Sequence, residues 1–333
     1  MNYFIFLLAA VLNCCAASKY RDCRPRKISD DMYDLYKIDK FYEKMATAWG
    51  RPIIASKRVH DRAVQWACLK VYGMLADRAD TRALMESYGK KFAILGENEV
   101  ITQIPEYSYL PSRYDERARG LGGTTKVPLT VSCEENLLCT PADRYNEDIY
   151  IHEAAHGVHL VGSGAIRNFK AAVRDAYRNA KKSSIWRNTY AITNYMEYFA
   201  EGVQSYFNTG DLGIEDSGPK KGNRNVNHID NRYKLYFYDF QLFYLINRLF
   251  PCGNWFAKQC TRPETDYKYN CPIIPNLIDI DLEPGQYTEL DLSQDFWNTE
   301  DCLADNCGIG TPSYSTYTRM CPKTCLIKVD RDW

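Results

Sequence analysis

The chain has 333 residues, enough for one large domain or a domain with a small appendage. Lys+Arg and Asp+Glu each number 42, so the formal net charge is zero and nothing suggests the basic stripe of a nucleic-acid-binding protein. A hydrophobic fraction of 45% fits a globular protein with a real core. The N-terminal apolar run is too short to span a bilayer, and no later stretch is long and apolar enough.

Residues 1–18 read as a signal peptide. Tyr3 to Leu12 is an apolar run, and Ala16, Ala17 and Ser18 are small residues of the cleavage-site kind. Thirteen cysteines agree with export. Removing Cys14 and Cys15 with the leader leaves eleven, an odd number, so one thiol is free or pairs with another chain. Cys133–Cys139 is a plausible local pair. From Asp30 to Gly89 the pattern is helical, with apolar residues at helical spacing over Arg62–Tyr72. Lys91–Leu95 and Val127–Val131 are short strand candidates, separated by a loop-rich stretch with Pro105, Pro111, Gly120, Gly122 and Gly123. Asp143 is a reasonable N-cap for a helix running to about Val161 and ended by Gly162 and Gly164. Further helices are expected over Ile166–Lys181, Thr193–Asn208 and Tyr233–Phe250. In the second of these, Met196, Ala200, Val203 and Phe207 form a stripe that should face the core.

The helix after Asp143 contains Ile151-His152-Glu153-Ala154-Ala155-His156-Gly157-Val158-His159. His152-Glu153-x-x-His156 fits H-E-x-x-H. Residues four apart share one helical face, so the two imidazoles can meet one Zn²⁺. Glu153 projects beside them, where it can take a proton from water and pass it on. A catalytic zinc needs a third protein ligand. His159 is a poor choice: it lies seven residues from His152, on the order of 10 Å along the axis. It reads better as an outer-shell or substrate-side histidine, or merely as a polar residue on the helix. Asn194 to Glu201 offers more. Glu197 and Glu201 are four apart beside the apolar stripe, where carboxylates are costly to bury unless they face a cation or hydrogen-bond donors. One can ligate the metal, and the other can hold the free ring N–H of a ligand histidine.

H-E-x-x-H followed about forty residues later by Glu197-Tyr-Phe-Ala-Glu201 resembles the gluzincin zinc metallopeptidases, and more narrowly the catalytic domain of the anthrax lethal factor type. The resemblance covers about residues 140–208. It implies Glu197 as the third ligand, Glu201 in the outer shell, and Tyr190, seven residues before Glu197, as a donor to the oxyanion. It also suggests that Gly120 to Val131 supplies an edge strand that holds peptide. Near the C-terminus, Cys302-x4-Cys307 and Cys321-Pro-Lys-Thr-Cys325 resemble an ShK-type module lacking its first and last cysteines, which implies Cys302–Cys321 and Cys307–Cys325 pairs.

The expected fold class is α+β: a zincin-like, mostly helical domain over 19–271 with a small mixed sheet. A linker over 272–293 and a small cysteine-rich unit over 294–333 follow it. The expected function is that of a secreted zinc metalloendopeptidase acting on protein or peptide. The alternative is a secreted toxin or binding protein with a structural or inactive zinc site, acting through its cysteine-rich tail.

Overall fold

The computed structural model describes residues 23–76, 78–145, 147–210 and 229–250. The expected signal peptide, the expected linker and the expected cysteine-rich unit, with its two implied disulfides, lie outside the described residues. Within them the chain is α+β. The order is β1 (Arg26–Lys27), α1 (Asp30–Tyr36), β2 (Lys44–Ala48), β3 (Arg51–Ala55), α2 (Asp61–Met74), α3 (Ala79–Ser87), β4 (Lys91–Leu95), α4 (Arg113–Arg117), β5 (Leu129–Cys133) and α5 (Glu134–Leu138). Then come α6 (Ile149–Val161), α7 (Phe169–Lys182), α8 (Tyr195–Tyr206), α9 (Arg232–Tyr238) and α10 (Phe240–Leu249).

The five strands form one mixed sheet in sequence order. β1–β2 and β2–β3 are antiparallel, and β3–β4 and β4–β5 are parallel. Side chains alternate across it. Phe92 and Ile94 join the core shared with the helices α2, α3, α6, α7, α8 and α10. Ala93 and Leu95 face a smaller cluster with Tyr33 of α1 and with Ile101, Ile104 and Tyr107. Every residue of β3 and β5 is buried, as befits strands covered on both faces. Beyond β5, Leu121 exchanges both backbone hydrogen bonds with Val131, at 2.9 and 2.8 Å, so residues around it lie antiparallel along the sheet edge.

Several expectations are corrected. The hairpin β2–β3 sits inside the region expected to be helical. Its two-residue turn places Trp49 and Gly50 at φ 52° and 72°, the twist a tight hairpin demands. Trp49 holds that unfavourable backbone because its ring stacks on Tyr72 at 4.1 Å and its indole N–H donates to the Tyr72 carbonyl. The helix expected from Asp143 starts instead after Asp148. The Asp143 carboxylate accepts from the Tyr145 backbone in a turn. The apolar run after Tyr233 is two helices, broken at Asp239, whose carboxylate caps α10 by accepting from Leu242 N. Met196 is 44% exposed and does not share the burial of Ala200, Val203 and Phe207. Cys133 is a free, buried thiol, so it is not the partner of Cys139, which is disulfide-bonded. Cys23 and Cys68 are joined across 45 residues, tying the start of the described chain to α2.

Candidate metal centre

Two helices build the site. α6 begins at Asp148, whose carboxylate accepts from Ile151 N at 3.0 Å. The same buried carboxylate pairs with buried Lys70 of α2, so the helix start is fixed to the core. Ala154, Ala155 and Val158 turn into that core, and the opposite side of the helix carries His152 and His156. α8 begins at Asn194, whose side chain accepts from Met196 N and Glu197 N at 2.9 and 3.1 Å, a standard N-cap. Its positions 197, 201 and 204, at i, i+4 and i+7, face α6.

The facing side chains converge. His152 Nε2 lies 3.0 Å and His156 Nε2 3.1 Å from the same Glu197 oxygen, and the two ring nitrogens are 3.1 Å apart. These three groups could hold a metal ion. They form a nearly equilateral triangle of lone-pair atoms, an arrangement that repels itself unless a proton or cation lies among them.

The other His152 nitrogen is also fixed. Gln204 donates its amide to the Asp148 carbonyl at 3.1 Å and to the Glu147 carboxylate at 3.2 Å. Its carbonyl oxygen must therefore face His152 Nδ1, 2.9 Å away, and accept the ring proton. That tautomer leaves the Nε2 lone pair turned to Glu197 and His156. Glu201, the residue expected for this role, stands farther off at 3.4 Å.

Burial disfavours charge on His152, but hydrogen bonding to Glu197 and Glu201 outweighs it and raises its pKa. Burial likewise pushes Glu197 up, yet the two imidazoles pull its carboxyl well below the usual range. Both shifts describe the strong pull of this cluster for positive charge. Glu153 moves the other way: burial raises its pKa, against the influence of His152, His156 and Lys90.

An open cleft of about 670 Å³ runs over the site, lined by His152, Glu153, His156, Tyr190 and Glu197 among others. Tyr190 is 36% exposed, with its ring centroid 6.2 Å from that of His152. Burial and the Glu197 charge push its phenol up to about 12, so it stays protonated.

The edge segment crosses directly above. A Cβ on Gly120 would fall 2.7 Å from Glu153 Cγ, and one on Gly122 would fall 2.3 Å from His156 Cβ. Only glycine lets the backbone approach this closely. Lys90 holds the segment from below. It is fully buried and donates to the Gly122 carbonyl at 2.9 Å, and Thr130 Oγ1 donates to the same oxygen at 3.1 Å. Burial pushes the Lys90 amine down to about 7, with the Glu153 charge opposing the shift.

The expected residues His152, Glu153, His156, Tyr190, Glu197 and Glu201 all lie together. His159 lines the same cleft but stands outside the group that could hold a metal. It is 4% exposed, its Nε2 has no hydrogen-bond partner among the described residues, and its ring packs against Phe199 at 4.5 Å and against Phe169 and Tyr195. Its surroundings are aromatic, and it hydrogen-bonds to none of the three clustered groups. Gln204 and Lys90 were not singled out from sequence. Gln204 was within reach, since it continues the helical face of Glu197 and Glu201. Lys90 was not, because nothing local marks a lysine for burial. No protein-family model matches the chain, and no curated protein or solved structure is significantly similar to it.

Proposed function

We propose that the chain is a zinc-dependent metalloendopeptidase of the gluzincin type, acting outside the cell. The observation that carries this reading is the convergence of His152 Nε2, His156 Nε2 and Glu197 Oε2 from two helices. Ligand atoms of a tetrahedral zinc at about 2.0–2.1 Å stand roughly 3.3–3.4 Å apart, so the triangle suits that ion with little movement. Two imidazoles and a carboxylate are also a common catalytic zinc set that keeps a position open. The Cys23–Cys68 disulfide agrees with an oxidising compartment.

Zinc held there would supply Lewis acidity and make water acidic enough to ionise near neutral pH. The protein's own groups do the rest. Glu153, with its raised pKa, takes the water proton and hands it to the leaving amine. The Tyr190 phenol, kept protonated, donates to the oxyanion. The Gly120 N–H, Gly120 C=O and Gly122 N–H have no backbone partners among the described residues. An extended peptide can therefore add as a strand along this edge, above Glu153 and His156.

The test uses a quenched peptide library and the Glu153→Gln variant. The wild-type chain should cleave peptides and stop when 1,10-phenanthroline is added. The variant should keep its zinc and lose about 10²–10⁴-fold in rate. Cleavage that survives in the variant would refute the mechanism.

A further inference from the structure

The cleft carries a charge pattern that the proposed chemistry does not use. The whole chain is neutral, but charge is sorted within the cleft. Its carboxylates face inward: Glu197 and Glu201 toward His152, Glu147 toward Gln204, and Glu153 within the electrostatic reach of His152, His156 and Lys90. Of its cations, Arg119 is paired with Glu135. The others are Arg117, Arg144, Lys170 and Arg174. All four are exposed, and among the described residues none has a carboxylate partner.

Lys170 and Arg174 are the best-placed pair. They lie one turn apart on α7, whose opposite face buries Phe169, Ala172, Val173 and Ala176. Each is anchored without being neutralised. Lys170 donates to the Leu160 carbonyl at 2.8 Å, at the end of α6. The Arg174 guanidinium lies 4.7 Å over the Tyr195 ring and donates to its hydroxyl at 3.2 Å. Tyr195 is two residues before Glu197, so Arg174 is tied to α8 and Lys170 to the end of α6, the two helices that carry the cluster. Like charges at i,i+4 repel. Two held cations facing an open cleft are relieved by an anion between them. A carboxylate suits this spot, and Arg174 still has guanidinium N–H groups free to meet one.

Resting on the peptidase reading, we propose that this site selects acidic peptides, with Lys170 and Arg174 as the specificity-determining residues that receive an Asp or Glu side chain next to the scissile bond. Direct contact is screened by salt, so the preference should weaken as ionic strength rises.

The test separates binding from turnover. Three fluorescent decapeptides, differing only in Asp/Glu, Ala or Lys beside the central bond, are titrated by anisotropy against the full-length Glu153→Gln chain. The same peptides are then incubated with the wild-type chain. The acidic peptide should bind about three- to ten-fold tighter than the Ala peptide, with the Lys peptide weakest. Lys170→Glu/Arg174→Glu should bring the acidic and Ala peptides within two-fold. The proposal fails if the Ala or Lys peptide binds as tightly as the acidic one. It also fails if the preference survives the double reversal, or if a single-stranded RNA decamer binds tighter than the acidic peptide. Acidic preference in binding with no cleavage of any peptide sinks the peptidase reading and leaves the anion-binding wall standing.

Discussion

At the residue scale, the site depends on which nitrogen of which histidine carries a proton. Gln204 settles this for His152, because its amide is already committed to two acceptors and only its oxygen is left to face the ring. His159, three residues beyond His156, shows the opposite environment. Burial pushes its pKa down to about 3, so it stays neutral in the folded protein well below the usual histidine range. In the unfolded chain it titrates near 6.5. Between these values the unfolded state binds the extra proton, so His159 lowers stability as pH falls from about 6.5 toward 3 and has no such effect above that window. His159→Phe removes a buried nitrogen with no partner among the described residues and keeps the ring. Urea melts should show the variant at least as stable as wild type at pH 7 and more stable at pH 4.5. A variant with the same pH dependence as wild type would contradict this. The spacing of four revealed the pair His152 and His156 and the pair Glu197 and Glu201 because helical geometry is local, and the choice of Glu197 between the two carboxylates came from the gluzincin resemblance. The fate of His159 was not legible, since it depends on rings brought in from α7 and α8.

At the element scale, the arrangement is two helices face to face beneath a glycine-bearing edge. Gly122 tests the edge most sharply, because a methyl there collides with His156 Cβ. Gly122→Ala should push the segment off α6, lower peptide cleavage by at least ten-fold and leave the far-ultraviolet circular dichroism unchanged. Unaltered kcat/KM would show that the edge does not need its close approach. The strand β4 was readable from its own run of residues, and α7 and α8 were readable to within a few residues. The hairpin β2–β3 was not, because its turn places a tryptophan at positive φ and depends on Tyr72, more than twenty residues away. The start of α6 was misplaced by five residues. Asp143 and Asp148 are both acceptable caps by composition, and only the buried pair with Lys70 selects the second.

At the scale of the whole molecule, one sheet fixes the site's floor and one disulfide pins its beginning. α2 carries both Cys68 and Lys70, so the covalent tie to Cys23 and the ion pair to the start of α6 share a helix. Closing a loop of this size is worth about 2–5 kcal/mol. Cys23→Ala/Cys68→Ala should lose that much in chemical denaturation, and an unchanged midpoint would mean that α2 is held by packing alone. The α+β class was legible from alternating helical and strand-like patterns. The small mixed sheet was expected as well, but its strand order was not legible, because two of its strands were hidden in a stretch that reads as helix.

The proposed chemistry rests on one zinc ion held by His152, His156 and Glu197. Anomalous diffraction at the zinc edge, from crystals of the full chain grown with zinc, tests it most directly. One strong peak is expected about 2.0–2.2 Å from His152 Nε2, His156 Nε2 and a Glu197 oxygen. A peak held by other side chains, or no peak between α6 and α8, would contradict it.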